Sequence, residues 1–261
     1  MVVMCYHSVH PSKGFASATP ALFDRHLAWL SEHCRLVPFS EVLQHAGAAS
    51  VQDRPVVSIT FDDGYADNYE HAFPLLLAHR APATFFLTMG LIENEPQVVE
   101  RFCRLRASSR EDVRALTWPQ ILRMREGGME FGTHTWSHPN LARLDSGQVA
   151  VELARPKESL EARLREPVTA TAYPFGKPHR HFTPATTRIV AATGYKLAAA
   201  VTFRGVRPSD GPWAVPRFYS TRDSVEALQA RVLGSLDLVG AWQDRAPAWL
   251  ARIVSPEDFT V

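Results

Sequence analysis

The chain has 261 residues, of which 46% are hydrophobic, and a formal net charge of +1. That length suits one large domain or two small ones and allows a substantial core. Near-neutral charge with scattered arginines gives no electrostatic case for nucleic acid or an anionic membrane surface, and three unpaired-looking cysteines (Cys5, Cys34, Cys103) argue against a disulfide framework or a cysteine metal site.

The first apolar run, 2–6, reads as a strand ending at His7. It is too short and lacks the charged start of a signal peptide, and no window approaches the ~18 apolar residues of a transmembrane helix. The cytoplasm is therefore the default expectation. A helical pattern over 21–33 is followed by a strand at 35–38 and a helix at 39–46. The next strand, 56–61, runs into Asp62-Asp63-Gly64, and a helix is expected over 66–79. A strand at 83–88 precedes a charged stretch, 93–115, that breaks the alternation and reads as an insertion over one face. Thr117-Trp118-Pro119-Gln120 has capping-box spacing and opens a helix at 118–126, which Gly127-Gly128 stops. A strand at 129–133 leads into His134-Thr135-Trp136-Ser137-His138. Then come a helix at 147–165, a strand at 169–173 ending in Pro174-Phe175-Gly176, a helix at 184–193, and strands at 196–201 and 214–218. A helix at 224–234 precedes a tail containing Trp242 and Trp249, expected to pack back as a helix. Strand and helix alternate along the whole length. The expected fold is α/β, a single-domain, distorted and incomplete (β/α) barrel with mainly parallel strands.

Four of these strands end in polar or turn-forming groups. In a parallel barrel the C-terminal strand ends share one face, which carries the active site. Two histidines and one carboxylate can hold a cation with a coordination position left open, and a second carboxylate can act as a base. Adjacent strand residues point opposite ways, so Asp62 and Asp63 divide more naturally into base and ligand than into two ligands. Each piece has a plainer reading. Asp-Asp-Gly followed by Asp67-Asn68 also suits a turn or a helix cap, and its acidic spacing fits a calcium loop poorly. His134 and His138 share one side if their segment is helical, but they could be a structural pair. His7 could be a satisfied polar group, His10 an exposed one, and Cys5 core packing. His179 and His181 could touch substrate or sit in a solvated loop. Trp136, Trp213, Tyr65 and Phe175 could face a sugar ring or simply pack.

On these residues the chain resembles the polysaccharide deacetylase family, the NodB-homology domain of carbohydrate esterase family 4. Thr60-Phe61-Asp62-Asp63-Gly64 matches its first motif and His134-Thr135-Trp136-Ser137-His138 its second. Tyr173-Pro174-Phe175-Gly176 is similar to its third, and Ala83-Thr84-Phe85-Phe86 matches a recurring strand. The motif-bearing core covers about residues 56–195 of a domain spanning 1–261. The resemblance implies a hydrolase of linear amide bonds that removes acetyl groups from N-acetylated sugars. Asp62 would be the base. Asp63, His134 and His138 would bind one divalent ion, zinc first, with cobalt, nickel or manganese also suited. The Phe175 amide, next to Pro174, would help hold the oxyanion. Two features depart from the family pattern. Ala172 stands where an arginine normally contacts the base, and no histidine follows His181 to serve as the acid. Met4-Cys5-Tyr6-His7 resembles the N-terminal Tyr-His of a circularly permuted branch, the biofilm poly-N-acetylglucosamine deacetylases. That likeness makes His7 the acid, and Arg217 is the candidate replacement for the arginine. Two other functions remain open: an amidase of a small intracellular acylated metabolite or glycoside, and a catalytically silent carbohydrate-binding protein.

Overall fold

The computed structural model describes residues 1–46, 54–220 and 222–234. Seven parallel strands close into a ring: β1 (Val2–Tyr6), β3 (Val56–Asp63), β4 (Ala83–Leu87), β5 (Glu130–Thr133), β6 (Ala170–Ala172), β7 (Leu197–Val201) and β8 (Val215–Tyr219). β1 closes the ring by pairing with β3 on one side and β8 on the other, with Tyr6 opposite Phe61 and Cys5 opposite Tyr219. The barrel is thus short of eight strands, yet it has no gap. A two-residue strand, β2 (Arg35–Leu36), adds to the start of β3 outside the ring.

Period-two alternation sorts the strand side chains into two layers. One apolar set, including Tyr6, Phe61, Phe85 and Phe131, packs outward against Phe23 and Leu27 of α1 (Pro20–His33) and other helix residues. A second set, including Val3, Phe86, Ala170, Ala172, Ala199 and Val215, fills the interior, with Phe39 below. Gly132 sits opposite Phe86 in the ladder because a Cβ there would meet the Phe86 ring and the Ala170 carbonyl, each at 2.7 Å. Small residues on β5, β6 and β7 leave room for the Phe86 ring and the Arg217 guanidinium, whose Cζ lies 5.4 Å from that ring's centre.

The remaining helices are α2 (Phe73–Ala78), α3 (Met89–Ile92), α4 (Pro96–Arg106), α5 (Trp118–Glu126), α6 (Ser146–Leu164), α7 (Pro184–Ala192) and α8 (Val225–Val232). The expected capping box forms, with Thr117 N donating to Gln120 Oε1 at 2.9 Å. Two expected helices come out differently. Segment 39–46 makes only a 3₁₀ turn, Phe39–Glu41, followed by turns. Three-residue spacing puts Phe39 and Val42 on one buried side. Segment 66–79 splits into a π turn, Asn68–Ala72, and α2. Pro74 has no N–H to donate and would crowd the Glu70 carbonyl of a regular helix, and the wider turn just before it avoids that clash. The tail with Trp242 and Trp249 lies outside the described residues.

Candidate active site

The strand ends converge as the barrel geometry requires. β3 runs two residues further than its apolar pattern suggests, so Asp62 and Asp63 are its last residues. Asp62 continues the inward-facing row of Ser58 and Thr60. Asp63 would face outward, but its φ is +74°, and Gly64 N donates to Asp62 O at 3.0 Å. This three-residue turn swings the second carboxylate to the same side as the first. Both therefore face His134, whose Nε2 lies 3.8 Å from Asp62 Oδ2 and 3.7 Å from Asp63 Oδ1.

The two histidines meet without a helix. His134 directly follows β5, and residues 134–138 form a loop with left-handed backbone at Thr135 and His138. His138 N donates to Thr135 Oγ1 at 3.0 Å, and the two imidazoles meet edge to face with centres 4.9 Å apart. The loop is fixed from α6: Glu152 accepts from Trp136 N, Ser137 N and Ser137 Oγ at 2.7–2.9 Å. His134 Nδ1 donates to the Ala172 carbonyl at 2.8 Å, which leaves Nε2 as the bare nitrogen facing the carboxylates.

Asp63 Oδ1 lies 3.6 Å from His138 Nε2, is buried, and has no hydrogen-bond partner among the described residues. Separations of 3.6–3.7 Å to both imidazole nitrogens are too long for hydrogen bonds. They suit ligands of one ion, since ~2.0–2.2 Å bonds in a tetrahedron space donor atoms about 3.3–3.6 Å apart. These three residues form a candidate metal-ligand group. The donor set therefore fits a single divalent cation.

Asp62 is occupied differently. Arg217, on β8, donates from Nη1 to Asp62 Oδ1 and from Nη2 to Asp62 Oδ2, each at 2.8 Å. Burial opposes ionisation of Asp62, but Arg217 and the neighbouring imidazole outweigh it and bring its pKa down to about 2. The guanidinium that Ala172 cannot supply from β6 arrives from two strands away. Cys5 is also at the site rather than in plain packing: its Sγ donates to Asp62 Oδ2 at 3.5 Å, and burial pushes the thiol well up, so it stays protonated.

His7 lies within this cluster. One ligand atom each of Cys5, His7 and Asp62 fall within 4.8 Å of one another. The His7 ring lies tilted against Tyr219 with centres 4.8 Å apart, and its Nδ1 has no hydrogen-bond partner among the described residues. Its backbone is held by Ser17 Oγ, which accepts from His7 N, and by Asn68 Nδ2, which donates to His7 O. Burial lowers its pKa to about 4, against the pull of Asp63. The same burial lowers His138 to about 3. Phe175 has φ +61° in a second three-residue turn, closed by Gly176 N donating to Pro174 O at 2.7 Å. Its ring is 41% exposed and meets His138 edge-on at 4.8 Å, with His181 5.2 Å away. Trp136 and Tyr65 are buried, so neither offers a face to a sugar, and Trp213 is the other exposed aromatic of the four.

One site group has no counterpart in the motifs. Arg106, the last residue of α4, donates from Nη2 to Asp63 Oδ2 at 2.6 Å and from Nε to Tyr65 Oη at 2.8 Å. It comes from the stretch 93–115, expected from the sequence as an insertion over one face, which here forms part of the site wall. Burial opposes ionisation of Asp63, and Arg106 with the facing imidazoles outweighs it, holding that carboxyl well below the usual range. A charged residue in an amphipathic helix carries no sequence signal of this partnership.

Barrel, paired carboxylates and converging histidines together define a NodB-type hydrolase site. The chain belongs to the polysaccharide deacetylase family, whose model matches residues 49–198. It is 23% identical over 224 residues to the poly-β-1,6-N-acetyl-D-glucosamine N-deacetylase of Staphylococcus aureus (strain MRSA252), covering 82% of this chain and 71% of that one. Among solved structures, the Streptococcus pyogenes deacetylase PplD in complex with acetate superposes with a TM-score of 0.73 at 26% identity, covering 89% of this chain and 97% of that one. IcaB from Ammonifex degensii gives 0.69 at 28% identity, covering 88% and 96%.

Proposed function

We infer that the protein is a metal-dependent hydrolase that removes N-linked acetyl groups from an N-acetylated amino sugar or its polymer, releasing acetate. The observation that carries this reading is the division of labour between the two carboxylates. Asp62 is clamped on both oxygens by Arg217, whereas Asp63 keeps one buried oxygen unpaired opposite two imidazole nitrogens. Membership of the deacetylase family and the names of the relatives support the same chemistry.

Asp63, His134 and His138 would hold the ion. When bound, a divalent ion such as zinc supplies Lewis acidity, which brings the pKa of water from about 16 toward about 7. Asp62 takes a proton from the attacking water, and its two bonds to Arg217 fix its orientation and keep it ionised. The Phe175 backbone N–H would serve as an oxyanion donor, a contribution of roughly 3–4 kcal/mol when aimed at the developing charge; the Phe175 ring beside His138 supports this. His7, which burial keeps neutral, would pass on to the departing amine the proton released as water attacks, since an amine leaves poorly unless protonated. One proton taken from water and one given to nitrogen balance the hydrolysis of an amide to acetate and an amine.

The test is acetate release across a panel of N-acetylglucosamine oligomers and small acylated amino sugars. Turnover on at least one N-acetylated saccharide is expected. Activity confined to non-sugar amides would move the assignment to a metabolite amidase, and inactivity on the whole panel would favour a binding protein.

A further inference from the structure

The segment that breaks the strand–helix alternation touches the holders of the metal ligands at three points. Arg106 grips Asp63 Oδ2 and the Tyr65 hydroxyl. Phe102, one turn earlier on α4, meets the His138 ring edge-on at 5.2 Å, and Arg101 Nη1 donates to the His138 carbonyl at 3.4 Å. Glu95, just before α4, accepts from the indole N–H of Trp136, which lies between the two histidines in sequence. α4 has its own small apolar core, in which Val98, Val99 and Phe102 pack with Tyr65 and Leu91, so these contacts are made from an anchored helix. The Arg106 side chain is 18% exposed, while the carboxylate it grips is fully buried.

We propose that α4 is a brace for the cation site and that Arg106 is its positioning residue, holding Asp63 so that only Oδ1 faces the ion. This rests on the metal-dependent reading above. A carboxylate with one oxygen committed to a guanidinium can offer only the other to a cation, and it cannot chelate through both. Without Arg106, Asp63 would be free to rotate about its carboxyl bond and bind through two oxygens or swing away. Orienting partners of this kind typically change metal affinity by ~10–100-fold when removed.

The test uses the full chain stripped of metal with a chelator and titrated with Co²⁺, in competition with a chromophoric chelator. Wild type, Arg106→Met, Arg106→Lys and His134→Ala are compared. Met keeps an aliphatic stem but removes the fork, whose Cζ lies 5.7 Å and 5.8 Å from the Phe15 and Tyr65 ring centres. Arg106→Met should bind Co²⁺ ~10–100-fold more weakly than wild type. The visible d–d absorption of its Co²⁺ form should change in position and intensity, as it does when a carboxylate changes its mode of coordination. Arg106→Lys, which keeps a charge without the fork, should fall between the two and covers the case in which the Met variant does not fold. A lower unfolding temperature with unchanged Co²⁺ affinity and spectrum would assign Arg106 a purely structural role and overturn the proposal. If wild type binds one equivalent and His134→Ala does not, that failure belongs to the brace alone. If wild type binds no Co²⁺, the metal-dependent reading falls and takes the brace with it.

Discussion

Asp62 and Arg217 are both buried and share two hydrogen bonds, so removing either partner strands a charge. Arg217→Met should cost about 3–5 kcal/mol of stability, read by urea unfolding, because a lone buried carboxylate remains. Adding Asp62→Asn should recover part of that loss; strictly additive losses would show that the pair is not the source. Asp62→Asn alone should lower kcat by at least ~10²–10⁴-fold, the range of general acid–base catalysis, while metal content stays at the wild-type level. Near-normal turnover in that variant would mean another group activates water. His7→Ala should lower kcat by a similar ~10²–10⁴-fold without changing metal content; an unchanged rate would send the search for the acid to His179 and His181. At this scale Asp62, Asp63 and His134 were legible because they stand at the end of apolar runs, and His138 because it lies four residues after His134. Arg217 gives little signal in the sequence, being a lone charge in an apolar strand. Asp63's left-handed turn was not legible, since Asp-Asp-Gly is compatible with many turns. Arg106 was invisible, because only tertiary packing brings α4 over β3.

At the scale of elements, boundaries followed periodicity where local chemistry agreed with it. β1 and α5 match the pattern to the residue, the latter because Thr117, Pro119 and Gly127 mark both ends. Segment 66–79 did not, because Pro74 imposes a change of helical pitch that hydrophobic spacing does not report. The α1 helix is tied to the barrel by His26: the Tyr6 hydroxyl donates to its Nδ1 at 3.0 Å, and its Nε2 donates to the Asp223 carbonyl at 2.9 Å. Burial lowers the pKa of His26, so the folded state holds it neutral. Its contribution to stability is therefore complete above the unfolded value of about 6.5 and is lost as pH falls below it. Urea midpoints at pH 7.5 and pH 5 should differ more for wild type than for His26→Gln; equal differences would remove His26 from the acid sensitivity. At Gly132 the barrel interior has no room for a methyl group. Gly132→Ala should cost about 1–3 kcal/mol through overpacking against Phe86, and a neutral result would show that the ladder yields there.

At the scale of the whole molecule, the order of strands around the ring brings the first strand of the chain to the proposed site. β1 sits between β8 and β3, so the first strand of the chain delivers His7 beside the carboxylates of β3, and β8 delivers Arg217 to the same point. Alternating strands and helices made the barrel class readable in the sequence. Closure with seven strands was not readable, because it depends on which strands pair. The central claim is that one ion at Asp63, His134 and His138 makes this barrel a deacetylase. It is tested most directly by acetate release from N-acetylglucosamine oligomers while a divalent ion is titrated into chelator-treated protein. Activity should rise from near zero and level off at one equivalent. Full activity before any ion is added, or none at any ratio, would contradict the account.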